Sequence, residues 1–272
     1  MPDTDSLNAY TPVEIARRVE AAGETKARMA LLPLSMLSVL AGAFIGLGAM
    51  LSVMVRADAS LGFAASTLLS GLVFSLGLLM VVVAGAELFT GNNLLVMAWA
   101  DGRIGTGLVL RNWLIVCLTN SVGAAGLAWL VLASGHLQLN GGAVGQKVVQ
   151  IALAKQDLPF WTAFARGVLC NVLVCMAVWM ALAGRSVVDK AVAVVFPVMA
   201  FVAAGFEHSI ANMYLMPQAL WLQQSGVAAD GALVTWSGIA GNLLPVVLGN
   251  LAGGAGLVGL VYYVIYLRQP KA

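Results

Sequence analysis

The chain carries apolar runs too long for ordinary core helices, and two of them are broken from within by polar and ionisable residues. Runs bounded by charge or turn residues cover roughly 31–55, 61–100, 111–134, 160–183, 187–220 and 233–267. About 20 apolar residues span a bilayer, so each run is long enough to cross. The second and fifth exceed one plain helix. The second is interrupted by Glu87, Thr90, Asn92 and Asn93, the fifth by Glu207, His208 and Asn212. Backbone groups in hydrocarbon must be satisfied within the protein, which leaves helices as the natural spanning element. The expectation is an all-α membrane protein of six crossings, the second and fifth each made of two half-helices joined by a non-helical break.

Composition agrees and removes other classes. Hydrophobic residues make up 61% of the chain and charged ones 10%, with a mean hydropathy of +0.93. Soluble domains carry about 25% charged residues. A net charge of +2 without a basic cluster gives no nucleic-acid footprint. Cys117, Cys170 and Cys175 sit in apolar runs and read as small buried hydrophobes. No group of residues suggests a metal or cofactor, and an intramembrane enzyme would need a nucleophile–base pair or a ligand cluster that one membrane histidine does not supply.

Residues 1–30 form a polar N-terminal segment. Thr11-Pro12-Val13-Glu14 fits a capping box with proline at the first helical position, so a short interfacial helix is expected to about Gly23, with Val13, Ala16 and Val19 near one face. Residues 31–267 form the single transmembrane domain and 268–272 a tail. Six crossings put both termini on one side. If that side is the cytoplasm it collects ten Lys and Arg residues against four opposite, so both termini are expected inside.

The two breaks resemble each other. AGAELFTGN at 84–92 and AGFEHSIAN at 204–212 share A-G-x-E-x4-N at an offset of 120. NWLIVCLTNSVG at 112–123 and NLLPVVLGNLAG at 242–253 share N-x-L-x3-L-x-N-x2-G at an offset of 130. Two patterns in the same order imply two halves of three crossings, about 31–134 and 160–267. Three is odd, so the halves are inverted, a pattern that places a transport site near the midplane between the broken helices. Gly85 and Gly205 suit the backbone of a break. Glu87 and Glu207, with Asn92 and Asn212 beyond them, are expected to cap the second half-helices, the carboxylates accepting from their opening amides.

These stretches resemble the formate/nitrite transporter family. The likeness extends through LCNVLVCMAVWMA, GRSVVDKA, GFEHSIANM and GNLLPVVLGNLAGGAGLVGL, and so over nearly the whole sequence. The resemblance implies an aquaporin-like fold in a homopentamer of the inner membrane, with a pore in each subunit for small monovalent anions of weak acids. Formate is the expected substrate. Nitrite or hydrosulfide is the alternative, and a water or neutral-solute channel is disfavoured because Asn92 and Asn212 lack a following Pro-Ala. Carried over by motif, His208 resembles the central pore histidine and Thr90 the threonine bonded to it. Lys155 and Asn171 resemble vestibule groups. Phe74, Leu78, Leu88, Phe89, Val174 and Phe201 resemble two apolar constrictions. An ionisable residue within a span is functional by default, and a histidine there is suited to proton-coupled passage of a weak acid.

Overall fold

Satisfaction of backbone groups dictates what is seen. The computed structural model, which describes residues 8–226 and 231–268, is built of helices. Helix α1 (Pro12–Ala27) opens on the expected capping box: Glu14 N–H donates to Thr11 Oγ1, and Thr11 N–H donates to Glu14 Oε2 at 2.7 Å. It runs a turn beyond Gly23. Its buried face is Ile15, Ala16, Val19, Glu20, Gly23 and Ala27; the first three pack with Leu94, Met97, Trp179 and Val258 of its own chain and Ala27 with Leu95 and Ala98, while Val13 stays exposed.

Among the described residues, five helices are long and apolar enough to cross a membrane: α2 (Leu31–Arg56), α3 (Phe63–Gly85), α5 (Thr106–Ala133), α7 (Phe160–Ala183) and α10 (Trp236–Tyr266). Between α3 and α5 lies α4, residues 89–100, whose middle turn at Asn93–Leu95 tightens to a 3-10 geometry. The run 187–220 is not one helix but two, α8 (Val187–Ala203) and α9 (Ser209–Gln224). In the run 61–100, the part before the break, α3, is 23 residues long and so has spanning length without α4.

Helix α6 (Ala143–Gln156) falls between the apolar runs 111–134 and 160–183. It is the counterpart of α1. Buried Ile15, Ala16, Val19, Glu20 and Gly23 of α1 match buried Val144, Gly145, Val148, Val149 and Ala152 of α6, each 129 positions later. Each half therefore begins with a short amphipathic helix, and the halves extend further toward the N-terminus than 31–134 and 160–267.

Small residues bring the paired long helices together. A Cβ on Gly123 of α5 would strike Val39 O of α2, and one on Gly253 of α10 would strike Val168 O of α7. With no Cβ the backbones meet directly, as membrane helices prefer. The two contacts occupy equivalent positions of the two halves and hold the same helix pair in each.

Candidate functional site

Each break is built the same way. Helix α3 widens to a π turn at Val81–Gly85, Gly85 takes φ +81°, and Ala86 is extended before α4 opens at Phe89. Helix α8 ends at Ala203, Gly205 takes φ +70°, and α9 opens at Ser209. A left-handed φ is one that glycine adopts without strain.

The backbone groups freed at the breaks are met by two asparagines. Asn120 accepts from Phe89 N–H at 2.9 Å and donates to Glu87 O and Ser38 O at 2.9 and 2.6 Å. Asn250 accepts from Ser209 N–H at 3.0 Å and donates to Glu207 O and Gly167 O at 3.0 and 2.8 Å. Both are fully buried. They are the second asparagines of the repeated N-x-L-x3-L-x-N pattern, to which the sequence reading gave no role.

The glutamates do something other than cap. Glu87 pairs with Lys26 at 3.1 Å and accepts from Asn92 Nδ2 at 2.8 Å. Asn92 also donates to Asn112 Oδ1, and Asn112 donates to Lys26 O. In the other half Glu207 pairs with Lys155 at 2.8 Å and accepts from Asn212 at 2.6 Å. Asn212 donates to Asn242, and Asn242 to Lys155 O. The expected contact from carboxylate to helix-opening amide is replaced by a closed ring of lysine, glutamate and two asparagines. A buried carboxylate is tolerable only when paired and hydrogen-bonded, and the lysine on α1 or α6 supplies the pairing. Lys26 escaped sequence reading. Its signal was the 129-residue match to Lys155, hidden because the surrounding residues differ.

His208 is the N-cap of α9. Its Nδ1 accepts from Ala211 N–H at 3.1 Å, and its Nε2 lies 3.1 Å from Thr90 Oγ1. An amide can only donate, so Nδ1 carries no proton and the neutral ring holds its hydrogen on Nε2, directed at Thr90. Phe201 stacks on the ring at 5.9 Å between centroids, and Phe74 meets it nearly edge-on at 6.5 Å. The three rings close on one another, with Phe74 and Phe201 centroids 5.7 Å apart.

Two cavities approach this ring. One of about 220 Å³ is lined by Lys155, Arg56, Arg166, Phe74, Phe201 and His208, among others. The other, about 350 Å³, has Lys26, Lys190, Glu87, Asn92, Leu78 and Leu88 in its wall. Phe74 and Leu78, one turn apart on α3, each face a different cavity. Thr90 is fully buried and lines neither. Phe89, Val174 and Asn171 are also absent from both walls. The Asn171 amide, expected in a vestibule, instead donates to Thr90 O at 3.2 Å and Asn250 O at 2.7 Å, and so holds the turn that carries Thr90.

Spanning helices in two matched halves, broken where a buried imidazole lines a cavity, define a multi-pass membrane protein of transporter architecture. The family model described as "Formate/nitrite transporter" matches residues 13–264, and the chain belongs to that family. It is 40% identical over 281 residues to the formate channel FocA of Escherichia coli K12, with 99% of each chain covered. It is 37% identical to formate channel FocB of the same organism, covering 94% of this chain and 93% of that one. Among solved structures it is similar to a pentameric formate channel with formate bound, at a TM-score of 0.81 and 37% identity over 88% of this chain and 98% of that one. An FNT family ion channel superposes at 0.83 with 32% identity, covering 93% and 98%.

Proposed function

We propose that the chain passes small monovalent anions of weak acids, formate foremost, by neutralising them at the Thr90–His208 contact between the two cavities. That contact, 3.1 Å long and walled by Phe74 and Phe201, is the observation that carries the reading. The names of the relatives support formate as the substrate.

The physical problem is an apolar neck. Moving a bare carboxylate-sized ion from water to a low dielectric costs about 20 kcal/mol in the ideal limit and several after relaxation. Protonating an acid of pKa about 4 at pH 7 costs about 4 kcal/mol. Neutralisation wins. With Nδ1 engaged by Ala211, His208 acts as a neutral donor through Nε2. The Thr90 hydroxyl accepts that hydrogen and presents its own to the anion, while a hydronium ion entering from the aqueous side gives up the proton that makes the acid neutral and leaves as water. A second proton on Nδ1 would cost the Ala211 contact, which favours a hydrogen-bonding ring over a permanently charged one.

The chain works as a homopentamer in the inner membrane with both termini in the cytoplasm, each subunit carrying its own pore. Uptake into proteoliposomes of formate, nitrite, acetate, chloride and hydrosulfide at pH 5 and pH 7 tests the reading. Formate is expected to enter faster at pH 5, and chloride to be excluded at both. Equal passage of chloride and formate would overturn it.

A further inference from the structure

The cavity beside Lys155 holds more positive charge than its lysine provides, and the excess comes from Arg56 and Arg166. We propose that Arg56 forms an anion-binding site ahead of the neck, selective for planar anions with two oxygens. The proposal rests on the channel reading above and adds a residue that decides which anions reach the neck.

Lys155 is held by Glu207 at 2.8 Å, so the pair together contributes no net charge. The same cavity wall includes Arg56 and Arg166, and Glu207 is the only acid in it. Neither arginine has an acidic partner within 4.0 Å among the described residues. The formal balance of the wall is therefore two positive charges, both from arginine.

Arg56 ends α2 and its side chain is half-buried. Its Nε donates to Ser70 Oγ at 3.1 Å and its Nη2 to Val202 O at 2.9 Å. Val202 O lies in the last turn of α8, where it also accepts from Gly205 N–H at 3.1 Å and where the helix dipole favours a cation. These bonds fix the plane of the guanidinium just before the break that carries His208. A guanidinium has five N–H donors, so donors remain. Arg56 also lines a second cavity of about 450 Å³, together with Asp58, Lys147 and Gln150. It stands in the wall shared by that outer space and the Lys155 cavity.

The two halves differ here. Arg185 stands 129 positions after Arg56, in the equivalent place, yet its guanidinium lies over the Tyr10 ring at 4.2 Å. Repeat geometry alone thus does not place Arg56 in the cavity; the Ser70 and Val202 contacts do.

A fixed guanidinium fork matches the two oxygens of a carboxylate or nitrite bidentately. A spherical anion such as hydrosulfide or chloride feels the charge but gains nothing from the fork. Arg56 thus prefers formate, nitrite and acetate over hydrosulfide, with size exclusion left to the phenylalanine neck.

The test is concentration-dependent uptake into proteoliposomes at pH 7, with formate and hydrosulfide as probes. For Arg56→Gln the formate KM is expected to rise about tenfold, a loss of about 1.4 kcal/mol, with maximal flux within about twofold. The hydrosulfide KM should move far less. Arg56→Lys, which keeps the charge but not the fork, should recover the hydrosulfide value fully and the formate value only in part. Because Arg56→Gln also removes the Val202 contact, Arg166→Gln serves as a second variant: it lines the same cavity and has no side-chain bond to lose. It should raise both KM values modestly. An unchanged formate KM in Arg56→Gln, or equal rises for both probes, overturns the site. Absence of formate flux in the unsubstituted protein would instead overturn the channel reading.

Discussion

Ala211 N–H donates to Nδ1 of His208 at 3.1 Å, so this histidine is at once the cap of α9 and the group that faces Thr90. One ring nitrogen is committed to the cap and the other to Thr90. Substitutions at this position therefore separate by which nitrogen they imitate.

His208→Asn places an amide oxygen where Nδ1 stood, and asparagine is among the best N-cap residues. It should keep the cap, lose the Nε2 contact to Thr90 and alter the pH dependence of uptake between pH 5 and 7. His208→Phe loses both functions, and its thermal stability in detergent should fall by about 1 kcal/mol, the usual worth of a cap. Unchanged pH dependence and direction of flux in both variants would remove the histidine from the protonation step.

Asn120 and Asn250 should be the most stabilising polar residues of the two breaks. Each makes three buried bonds to backbone groups, two of them at the break and one to a carbonyl inside α2 or α7. Substitution to Ala removes the asparagine from one N–H and one carbonyl at the break, at about 1–3 kcal/mol each in the worst case. Aspartate restores the acceptor and not the two donors, so it should rescue only in part. The measurement is the melting temperature of each variant. The mirrored geometry predicts losses of similar size for the two alanine variants, and a large loss at one with none at the other would contradict it.

How much of this was written in the sequence depends on what kind of signal each feature leaves. The spans are legible because lipid demands about 20 apolar residues in a row. The breaks are legible because glutamate, histidine and asparagine are conspicuous among valine and leucine. The repeat is legible through its asparagines, though their bonds are not: an asparagine's partners lie on helices distant in sequence, and Asn120 reaches Ser38. Helix α6 was lost because its apolar face is only one side of a short, mixed segment. The glutamates were misplaced as caps because the lysines that claim them sit 61 and 52 positions away. Proximity along the chain favoured the wrong partner.

The lysine–glutamate pairs yield a double-mutant prediction. Lys155→Met strands the Glu207 carboxylate, 3% exposed, in a low-dielectric wall, and removing one partner of such a pair costs about 3–5 kcal/mol. Lys155→Met combined with Glu207→Gln removes both charges and should recover most of that loss. Lys26→Met should cost less, because the Lys26 side chain is 31% exposed and water screens the pair. Thermal melts of the single and double variants decide it. Additive losses in the double variant would show that the pair is not coupled.

Glu20 gives the fold a pH dependence outside the spans. It occupies the position matched by Val149 in the second half, is 2% exposed, and meets Arg103 at 2.9 Å, with Arg103 also bonded to Asp101. Burial, with Asp101 adding to it, pushes the Glu20 carboxyl up to about 7. Between its ordinary value near 4.5 and about 7, the docked helix α1 binds more protons than a released one. Docking therefore tightens as pH falls through 7 toward 4.5, and above about 7 it stays at its weakest level because both states have lost the proton. Hydrogen–deuterium exchange over 12–27 should show greater protection at pH 5.5 than at pH 8. Glu20→Gln is neutral at every pH, so its protection at pH 8 should match that of the unsubstituted protein at pH 5.5. If the glutamine variant kept the full pH dependence, another group would have to control the docking of α1.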